Sequence, residues 1–325
     1  MHEMSSSTVT RLISEMLEGN ILSLARLVTL IESEDEATPR IMKSINEHIG
    51  KAYRIGITGP AGAGKSTLIE RLTILLREQE KTVGIICVDP TSPFTGGAVL
   101  GDRIRMQQHD LDDGVYIRSM ATRGSLGGLP KTIRAVIKLL DAFGKEMVLV
   151  ETIGVGQTEV DILQSADLVI VVLVPEAGDS IQAMKAGLME IGDIFVVNKA
   201  DRPGAEDTLN NIKAILKLDA ERRNYDIPVI ATEAVYNRGI KELYGQIDIK
   251  RQLLINNGQF AERRRKQRQS EFIETVINRI TSDVINRLNT DAILSRYKED
   301  VENGKMDPFT AANEVYRSID LYGKS

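Results

Sequence analysis

The sequence predicts an α/β fold in which a mainly parallel sheet is covered by helices on both faces. Short, continuously apolar segments rich in β-branched residues recur through the middle of the 325-residue chain. Amphipathic segments of helix length lie between most of them. Both ends of the chain keep a helical period without strands. Buried strands separated by helices are typical of parallel sheets, so we expect one α/β domain with helical extensions.

Residues 1–50 predict an N-terminal helical segment. Apolar residues recur there at helical spacing in two groups, Val9, Leu12, Ile13, Met16 and Leu17, then Ile21, Leu24, Leu27, Val28 and Ile31. Gly19 and Asn20 separate the two groups, as expected where one helix ends and the next begins. A shorter helix is predicted just before Lys51.

Residues 51–247 predict the α/β domain itself. Strands are expected at residues 54–58, 83–88, 115–118, 147–150, 168–174, 194–197 and 228–231, with helices such as 65–79 and 126–143 between them. In sheets of this kind, ligands bind beyond the carboxyl ends of the strands. The polar motifs of this chain all follow predicted strand ends, so we expect the functional site at that edge.

Residues 248–325 predict a C-terminal helical region. The run RRRKQR at 263–268 lies beside a long helix and is expected to be a solvated face. An apolar stripe at helical spacing follows it, formed by Ile273, Val276, Ile277, Ile280, Val284 and Leu288. Such a stripe must pack on its own domain or on a second subunit, and we interpret the region as a dimerisation arm.

The composition argues against several function classes. A net charge of −5 and an aromatic content of 4%, without Trp, do not favour a nucleic-acid-binding surface. One Cys and three His leave no disulfide framework and no Cys/His zinc site, and Cys87 is expected in a buried strand. No stretch reaches the roughly 18 apolar residues of a membrane span, and no secretory signal is evident. We therefore expect a cytoplasmic protein without a membrane or nucleic-acid partner.

The first motif, GPAGAGKST, directly follows the first strand and opens a helix. It matches the P-loop pattern GxxxxGK[ST], whose glycines let backbone N–H groups turn towards a phosphate. We expect Lys65 to reach the β- and γ-phosphates and the Ser66 hydroxyl to bind Mg²⁺. The fold is thus predicted to be that of a P-loop NTPase. The predicted phosphate-binding residues are Gly59, Pro60, Ala61, Gly62, Ala63, Gly64, Lys65, Ser66 and Thr67.

The second motif identifies the base. The strand at 194–197 ends in Asn198, Lys199, Ala200 and Asp201, which match the NKxD element of GTPases. The Asp201 carboxylate can accept the N1–H and N2–H of guanine, whereas adenine would leave the charge unpaired. The Lys199 stem can lie along the base, and Asn198 can tie this loop to the P-loop. The sequence therefore predicts GTP rather than ATP as substrate.

The third motif follows the strand at 147–150. An apolar strand followed by Glu151 is the Walker B pattern, in which the acidic residue helps to hold the Mg²⁺ shell. A carboxylate as long as that of Glu is expected to act through a water. The Gly154 N–H can contact the γ-phosphate, and no Gln directly follows it to position the attacking water. We therefore expect slow intrinsic hydrolysis that a partner accelerates.

Further acidic and basic residues follow the second strand. Asp89 ends this strand and is a candidate for the Mg²⁺ shell or for orienting water, with an Asx turn before Pro90 as the alternative. Asp102 is another candidate for the metal shell. Four arginines are candidates for stabilising phosphate charge, with surface ion pairing as the alternative for each: Arg103, Arg105, Arg118 and Arg123.

Five strings together resemble one family, the MeaB/ArgK group of the G3E GTPases, whose human relative is the methylmalonic aciduria type A protein. They are GPAGAGKST, VDPTSPFTGGAVLGDRIRM, IRSMATRGSLGG, VETIGVGQTEVDI and VPEAGDSIQAMKAG running to VVNKAD. The resemblance also covers both helical ends. This chain departs from the family in two ways. It lacks Trp, and Ala231, Thr232, Glu233 and Ala234 occupy the place of the guanine-contacting loop but match it loosely.

The resemblance implies a homodimeric GTPase that binds a cobalamin-dependent acyl-CoA mutase, usually methylmalonyl-CoA mutase. It implies protection of that enzyme and gating of adenosylcobalamin delivery. It also implies that residues 175–185 form an additional switch loop, so that Asp179 and Lys185 become candidates for coupling the partner to the nucleotide.

Two other functions compete with this interpretation. A metal-insertion GTPase would bring His-rich or paired-Cys segments, which this chain lacks. A transport-associated kinase or ATPase is the older label of the family, and it fits poorly with the guanine-reading role expected for Asp201.

Overall fold

The structure is a computed structural model of the chain, and it describes residues 6–33, 35–89, 111–121, 132–152, 165–175, 189–223 and 227–318. The chain divides into two compact units, residues 1–263 and residues 264–325. The expected domain boundaries at residues 50 and 247 stay predictions. No helix in the described ranges is long and apolar enough to cross a membrane.

In the described ranges, seven strands form one sheet, as predicted. They are β1 (Tyr53–Thr58), β2 (Val83–Asp89), β3 (Val115–Ala121), β4 (Met147–Glu151), β5 (Leu168–Leu173), β6 (Ile194–Asn198) and β7 (Val229–Thr232). The strand order is β3-β2-β4-β1-β5-β6-β7, and every neighbouring pair is parallel. All the carboxyl ends therefore lie at one edge of the sheet, with β1 between β4 and β5.

Three N-terminal helices pack as the periodicity predicted. They are α1 (Ser6–Leu17), α2 (Ile21–Glu32) and α3 (Thr38–Ile45). The Asn20 side chain caps α2 by accepting hydrogen bonds from the backbone N–H groups of Leu22 and Ser23, both at 3.0 Å. The apolar faces of these helices are buried in one core with the sheet. Asp141 accepts three backbone N–H bonds from residues 50–52, which fixes the entry into β1.

Helices cover both faces of the sheet. They are α4 (Lys65–Glu78), α5 (Ile133–Ala142), α6 (Met189–Ile191), α7 (Ala205–Arg223) and α8 (Ile240–Asn256), with a 3₁₀ turn at Ala234–Tyr236. Side chains of α4 and α8 line the core on one face, whereas α5, α7 and the N-terminal helices line the core on the other. Residues 126–131 of the predicted helix 126–143 lie outside the described residues. Cys87 is buried in β2, as expected.

The chain ends in helices α9 (Gln259–Thr290), α10 (Ala292–Glu302) and α11 (Pro308–Ser318). Asp291 caps α10 and Asp307 caps α11 through backbone N–H bonds. The predicted apolar stripe is present on α9, and Ile273, Val276, Ile277 and Ile280 in it are between 40% and 55% exposed in the single chain. These side chains therefore still have apolar surface available for a partner.

Candidate functional site

The P-loop lies between β1 and α4 at the carboxyl edge of the sheet. Gly59 has a φ of +137°, and a Cβ there would lie 2.0 Å from the Val172 carbonyl oxygen of β5. Gly64, which precedes α4, has a φ of +87°, and a Cβ there would lie 2.3 Å from Nδ2 of Asn198. Only glycine fits at both positions, because side chains would be strained and would collide with neighbouring atoms.

Lys65 begins α4 and is buried. Its ammonium group donates to the carbonyl oxygens of Gly59 at 2.9 Å and Pro60 at 3.1 Å, so it folds back over the loop. Neutral carbonyl oxygens are weaker partners for an ammonium group than phosphate oxygens. The arrangement can therefore exchange these bonds for bonds to an anion at the helix N-terminus.

Ser66 and Glu151 meet beside this lysine. The Ser66 hydroxyl donates to Oε1 of Glu151 at 2.7 Å, and both residues are buried. Asp89, also buried, ends β2, the strand that pairs with β4 on the side away from β1. Oxygen donors of this kind, a hydroxyl with one or two carboxylates, suit Mg²⁺. Among the described residues, no group of three or more His, Cys, Asp and Glu side chains could hold a metal.

The Asn198 side chain joins three loops, and its contact with the P-loop was expected from the NKAD motif. Its amide donates to the Ala63 carbonyl oxygen at 2.8 Å, which confirms the expected tie to the P-loop. Its Oδ1 accepts from the Thr232 hydroxyl at 3.0 Å and from the Ala234 N–H at 3.2 Å. The phosphate loop and the two loops after β6 and β7 therefore share one buried side chain.

The NKAD turn exposes its last residue. Lys199 has a φ of +57°, and its carbonyl oxygen accepts from the Arg202 N–H at 3.0 Å. The Ala200 N–H donates to the Thr232 carbonyl oxygen at 3.0 Å, which joins this turn to the end of β7. Asp201 is exposed to solvent. Its carboxylate is therefore accessible to a ligand.

Several predicted site residues lie outside the described residues: Asp102, Arg103, Arg105, Arg123, Gly154, Asp179 and Lys185. Arg118 is described, and its guanidinium group pairs with the carboxylate of Glu32 on α2. This ion pair raises the pKa of Arg118 above its ordinary value, mainly through the hydrogen bond to Glu32. The interpretation of Arg118 as a phosphate-charge stabiliser is therefore replaced by the alternative of ion pairing.

The sequence reasoning missed Arg238 and Arg71, which both contact the loop after β7. Arg238 forms an ion pair with Glu233 at 2.9 Å, and Arg71 of α4 donates to the Val235 carbonyl oxygen at 3.4 Å. The available signal was weak, because two oppositely charged residues five positions apart recur widely outside helices.

Comparison with protein families identifies the chain. The family model described as "Methylmalonyl Co-A mutase-associated GTPase MeaB" matches residues 24–289. The chain belongs to the MeaB family. It is accordingly a GTP hydrolase of the G3E type that binds guanine nucleotides, as the P-loop and the NKAD element predicted.

Relatives of the MeaB family support this assignment along nearly the whole chain. A Pyrococcus abyssi protein named as a GTPase is 46% identical over 318 residues, which cover 96% of this chain and 97% of the relative. GTPase ArgK of Escherichia coli is 32% identical over 97% of this chain and 98% of its own length. A solved structure described as a LAO/AO transport system kinase has a TM-score of 0.70 at 26% identity, covering 97% of this chain and 98% of that one. The P-loop NTPase fold predicted from the sequence is thus confirmed.

Proposed function

We propose that this GTPase acts as a chaperone of a cobalamin-dependent acyl-CoA mutase of the methylmalonyl-CoA mutase type. In this role it gates adenosylcobalamin loading and protects the mutase from inactivation. The observation that carries the proposal is the match of residues 24–289 to a family described as mutase-associated. A mouse relative named as a methylmalonic aciduria type A homolog, 31% identical over 80% of this chain and 67% of its own length, adds support.

Lys65 and the P-loop backbone are proposed to bind the phosphates. The fold-back of Lys65 onto the carbonyl oxygens of Gly59 and Pro60 supports this, because a phosphate can take over both bonds. Gly154 is proposed to contact the γ-phosphate. The proposed phosphate set is otherwise the one predicted from the motif, residues 59–67.

Mg²⁺ is proposed as the metal, held by Ser66 with Asp89, Glu151 and Asp102 in its shell. The 2.7 Å contact between the Ser66 hydroxyl and Glu151 supports this, since both oxygens already lie together in a buried position. A bound Mg²⁺ would neutralise charge that develops on the phosphate oxygens. Asp89 and Glu151 are also candidates for orienting the attacking water.

Asp201 is proposed to read the guanine base, with the Lys199 stem along the ring. The exposure of Asp201 and the bond from Ala200 to Thr232 support this, because they bring an accessible carboxylate next to the loop after β7. Thr232, Glu233 and Ala234 are proposed to complete the base pocket. Through Asn198, this pocket is connected to the phosphate loop.

A homodimer is proposed to form through the C-terminal helices. The partly exposed apolar stripe on α9 supports this, because a second copy can cover it. The coupling of the mutase to the nucleotide is proposed to run through Asp179 and Lys185.

The test is steady-state GTP hydrolysis by the purified chain, alone and with a purified cobalamin-dependent mutase titrated in. We expect saturable acceleration of hydrolysis and a complex detected by sizing, which also gives the oligomeric state of the chain alone. An unrelated acyl-CoA enzyme without cobalamin is the matched control. A flat rate together with no complex at any mutase concentration would contradict the chaperone role.

A second candidate is a phosphotransferase, favoured by the structural similarity to a protein described as a transport system kinase. It predicts that labelled γ-phosphate appears on a partner protein. The chaperone role instead predicts that all of the label appears as inorganic phosphate.

A further inference from the structure

The loop after β7 is closed by a pair of oppositely charged residues. The Glu233 N–H donates to the Arg238 carbonyl oxygen at 3.1 Å, and the Arg238 N–H donates back to the Glu233 carbonyl oxygen at 3.3 Å. The Arg238 guanidinium also donates to Oε2 of Glu233 at 2.9 Å. Asn237 at a φ of +57° lets the chain turn between these two residues.

This loop lies beside the proposed base pocket. Asn198 accepts from the Ala234 N–H and the Thr232 hydroxyl, so both ends of this short segment are bound to the NKAD side. The Ala200 N–H donates to the Thr232 carbonyl oxygen. Asp201 follows Ala200 and Glu233 follows Thr232, so both residues belong to the same small region. The region thus contains two carboxylates, and Arg238 is the cation that pairs with one of them.

The ion pair is not needed to hold the loop backbone. The two backbone bonds between Glu233 and Arg238 close the turn, and Arg71 binds the Val235 carbonyl oxygen. The Arg238 side chain is 72% exposed, whereas that of Glu233 is only 19% exposed. An ion pair with one partner so exposed contributes little to stability. Its main effect is therefore to compensate the charge of a largely buried carboxylate.

We propose that Arg238 is a specificity-determining residue, which neutralises Glu233 and thereby preserves the preference for guanine over adenine. The inference rests on the proposed reading of guanine by Asp201. If Asp201 accepts the N1–H and N2–H, the substituent on the other side of N1 is O6, and we place O6 towards the Glu233 loop. Guanine O6 is an acceptor, and adenine carries an N6 amino donor at the same position. A carboxylate without its cation would repel O6 of guanine and attract the amino group of adenine.

The test compares GDP and ADP affinities, by competition titration on the full chain, for Arg238→Gln, Arg238→Lys and the double variant Glu233→Gln/Arg238→Gln. We expect Arg238→Gln to lower the GDP-over-ADP preference about fivefold, since a partly exposed pair is worth about 1 kcal/mol. Arg238→Lys should recover most of the preference, because it retains the charge. The double variant should recover it as well, because no uncompensated carboxylate remains. Arg11→Gln, which removes another exposed ion-paired arginine, is the matched control.

A purely structural role predicts a different pattern. Both nucleotides would then weaken together, and the double variant would be no better than Arg238→Gln; either result would overturn the inference. Thermal melting of each nucleotide-free variant reports whether the loop change has affected the fold.

A parallel Asp201→Asn variant separates the two proposals. We expect it to shift the preference towards xanthine nucleotides, because an amide donor replaces the accepting carboxylate. If guanine preference survives in this variant, the proposed role of Asp201 fails. If Asp201→Asn behaves as expected and Arg238→Gln keeps the wild-type ratio, only the inference about Arg238 fails.

Discussion

The two edges of the sheet contain buried charges in different kinds of environment. At the amino edge, Asp167 is fully buried and forms a two-point ion pair with Arg54, with bonds at 2.6 and 3.0 Å. Asp193 is held in the same way by Arg263, at 2.9 and 3.0 Å. At the carboxyl edge, Lys65 contacts backbone carbonyl oxygens, and Glu151 contacts a serine hydroxyl.

The difference lies in the partners of these charges. A guanidinium paired at two points with a carboxylate is a strong partner with a fixed geometry. Neutral carbonyl and hydroxyl partners can be exchanged for phosphate oxygens or a metal. The amino edge thus uses buried charge to anchor strands and helix α9. At the carboxyl edge, the bonds of Lys65 to carbonyl oxygens and of Glu151 to a hydroxyl are of a kind that a ligand can replace.

The largest expected effect is at the carboxyl edge. Lys65→Ala removes the only ammonium group in the P-loop, so we expect GDP affinity to fall roughly a thousandfold, or about 4 kcal/mol. Isothermal titration calorimetry measures this. Lys51→Ala, an exposed lysine just before β1, is the matched control. If Lys65→Ala binds GDP within threefold of the wild-type affinity, the P-loop assignment is wrong. The contrast drawn between the two edges of the sheet is then wrong as well.

The next effect is expected at the amino edge. Arg263→Met leaves the buried carboxylate of Asp193 without its guanidinium, so we expect a loss of about 3 kcal/mol in the free energy of unfolding. Urea unfolding followed by far-UV circular dichroism measures it.

Arg265→Met is the matched control for this substitution, because Arg265 is exposed on the same helix and should change stability by less than about 0.5 kcal/mol. The GDP affinity of folded Arg263→Met should stay near that of wild type. If GDP binding falls while stability does not, the division of roles between the two edges is wrong.

The smallest effect is a pH dependence, also at the amino edge. Lys145 is buried and donates to the carbonyl oxygens of Gly114 at 3.0 Å and Asp113 at 3.2 Å. Desolvation, with a smaller contribution from nearby Arg77, lowers its pKa from 10.5 to about 8. Between these pH values the unfolded chain therefore binds more protons than the folded chain. The stability that Lys145 contributes is complete above pH 10.5 and is lost as the pH falls through about 8.

Comparison of wild type with Lys145→Met isolates this contribution. The difference in the free energy of unfolding, wild type minus variant, should rise by about 1 kcal/mol from pH 7 to pH 9. Urea unfolding at several pH values measures it. A difference that is flat or falls with pH would show that Lys145 is solvated and that this end of the sheet is more open than its contacts indicate.

Much of the fold and of the candidate site could be predicted from local patterns. The seven strands of the described part of the chain were predicted, because each is a short apolar run with β-branched residues. The P-loop and the NKAD element were recognised because their chemistry lies in consecutive residues. The run at 263–268 was only partly understood. Arg265 and Lys266 are solvated as expected, but Arg263 is half buried against Asp193.

The missed contacts of Arg263 and Arg118 share one property. The partners of Arg263 and Arg118 lie 70 and 86 residues away in the chain. No local period or motif reports such a pair, because it depends on which strands and helices become neighbours.

The sequence by itself determined the class of fold, the phosphate loop and the choice of base, because these follow from backbone geometry and side-chain chemistry within short segments. Only the tertiary structure decided the strand order and the partners of each buried charge. It also decided that Asn198 contacts Ala63, 135 residues earlier, and so joins the NKAD turn to the P-loop. Such contacts depend on how the whole sheet packs, which no segment specifies alone.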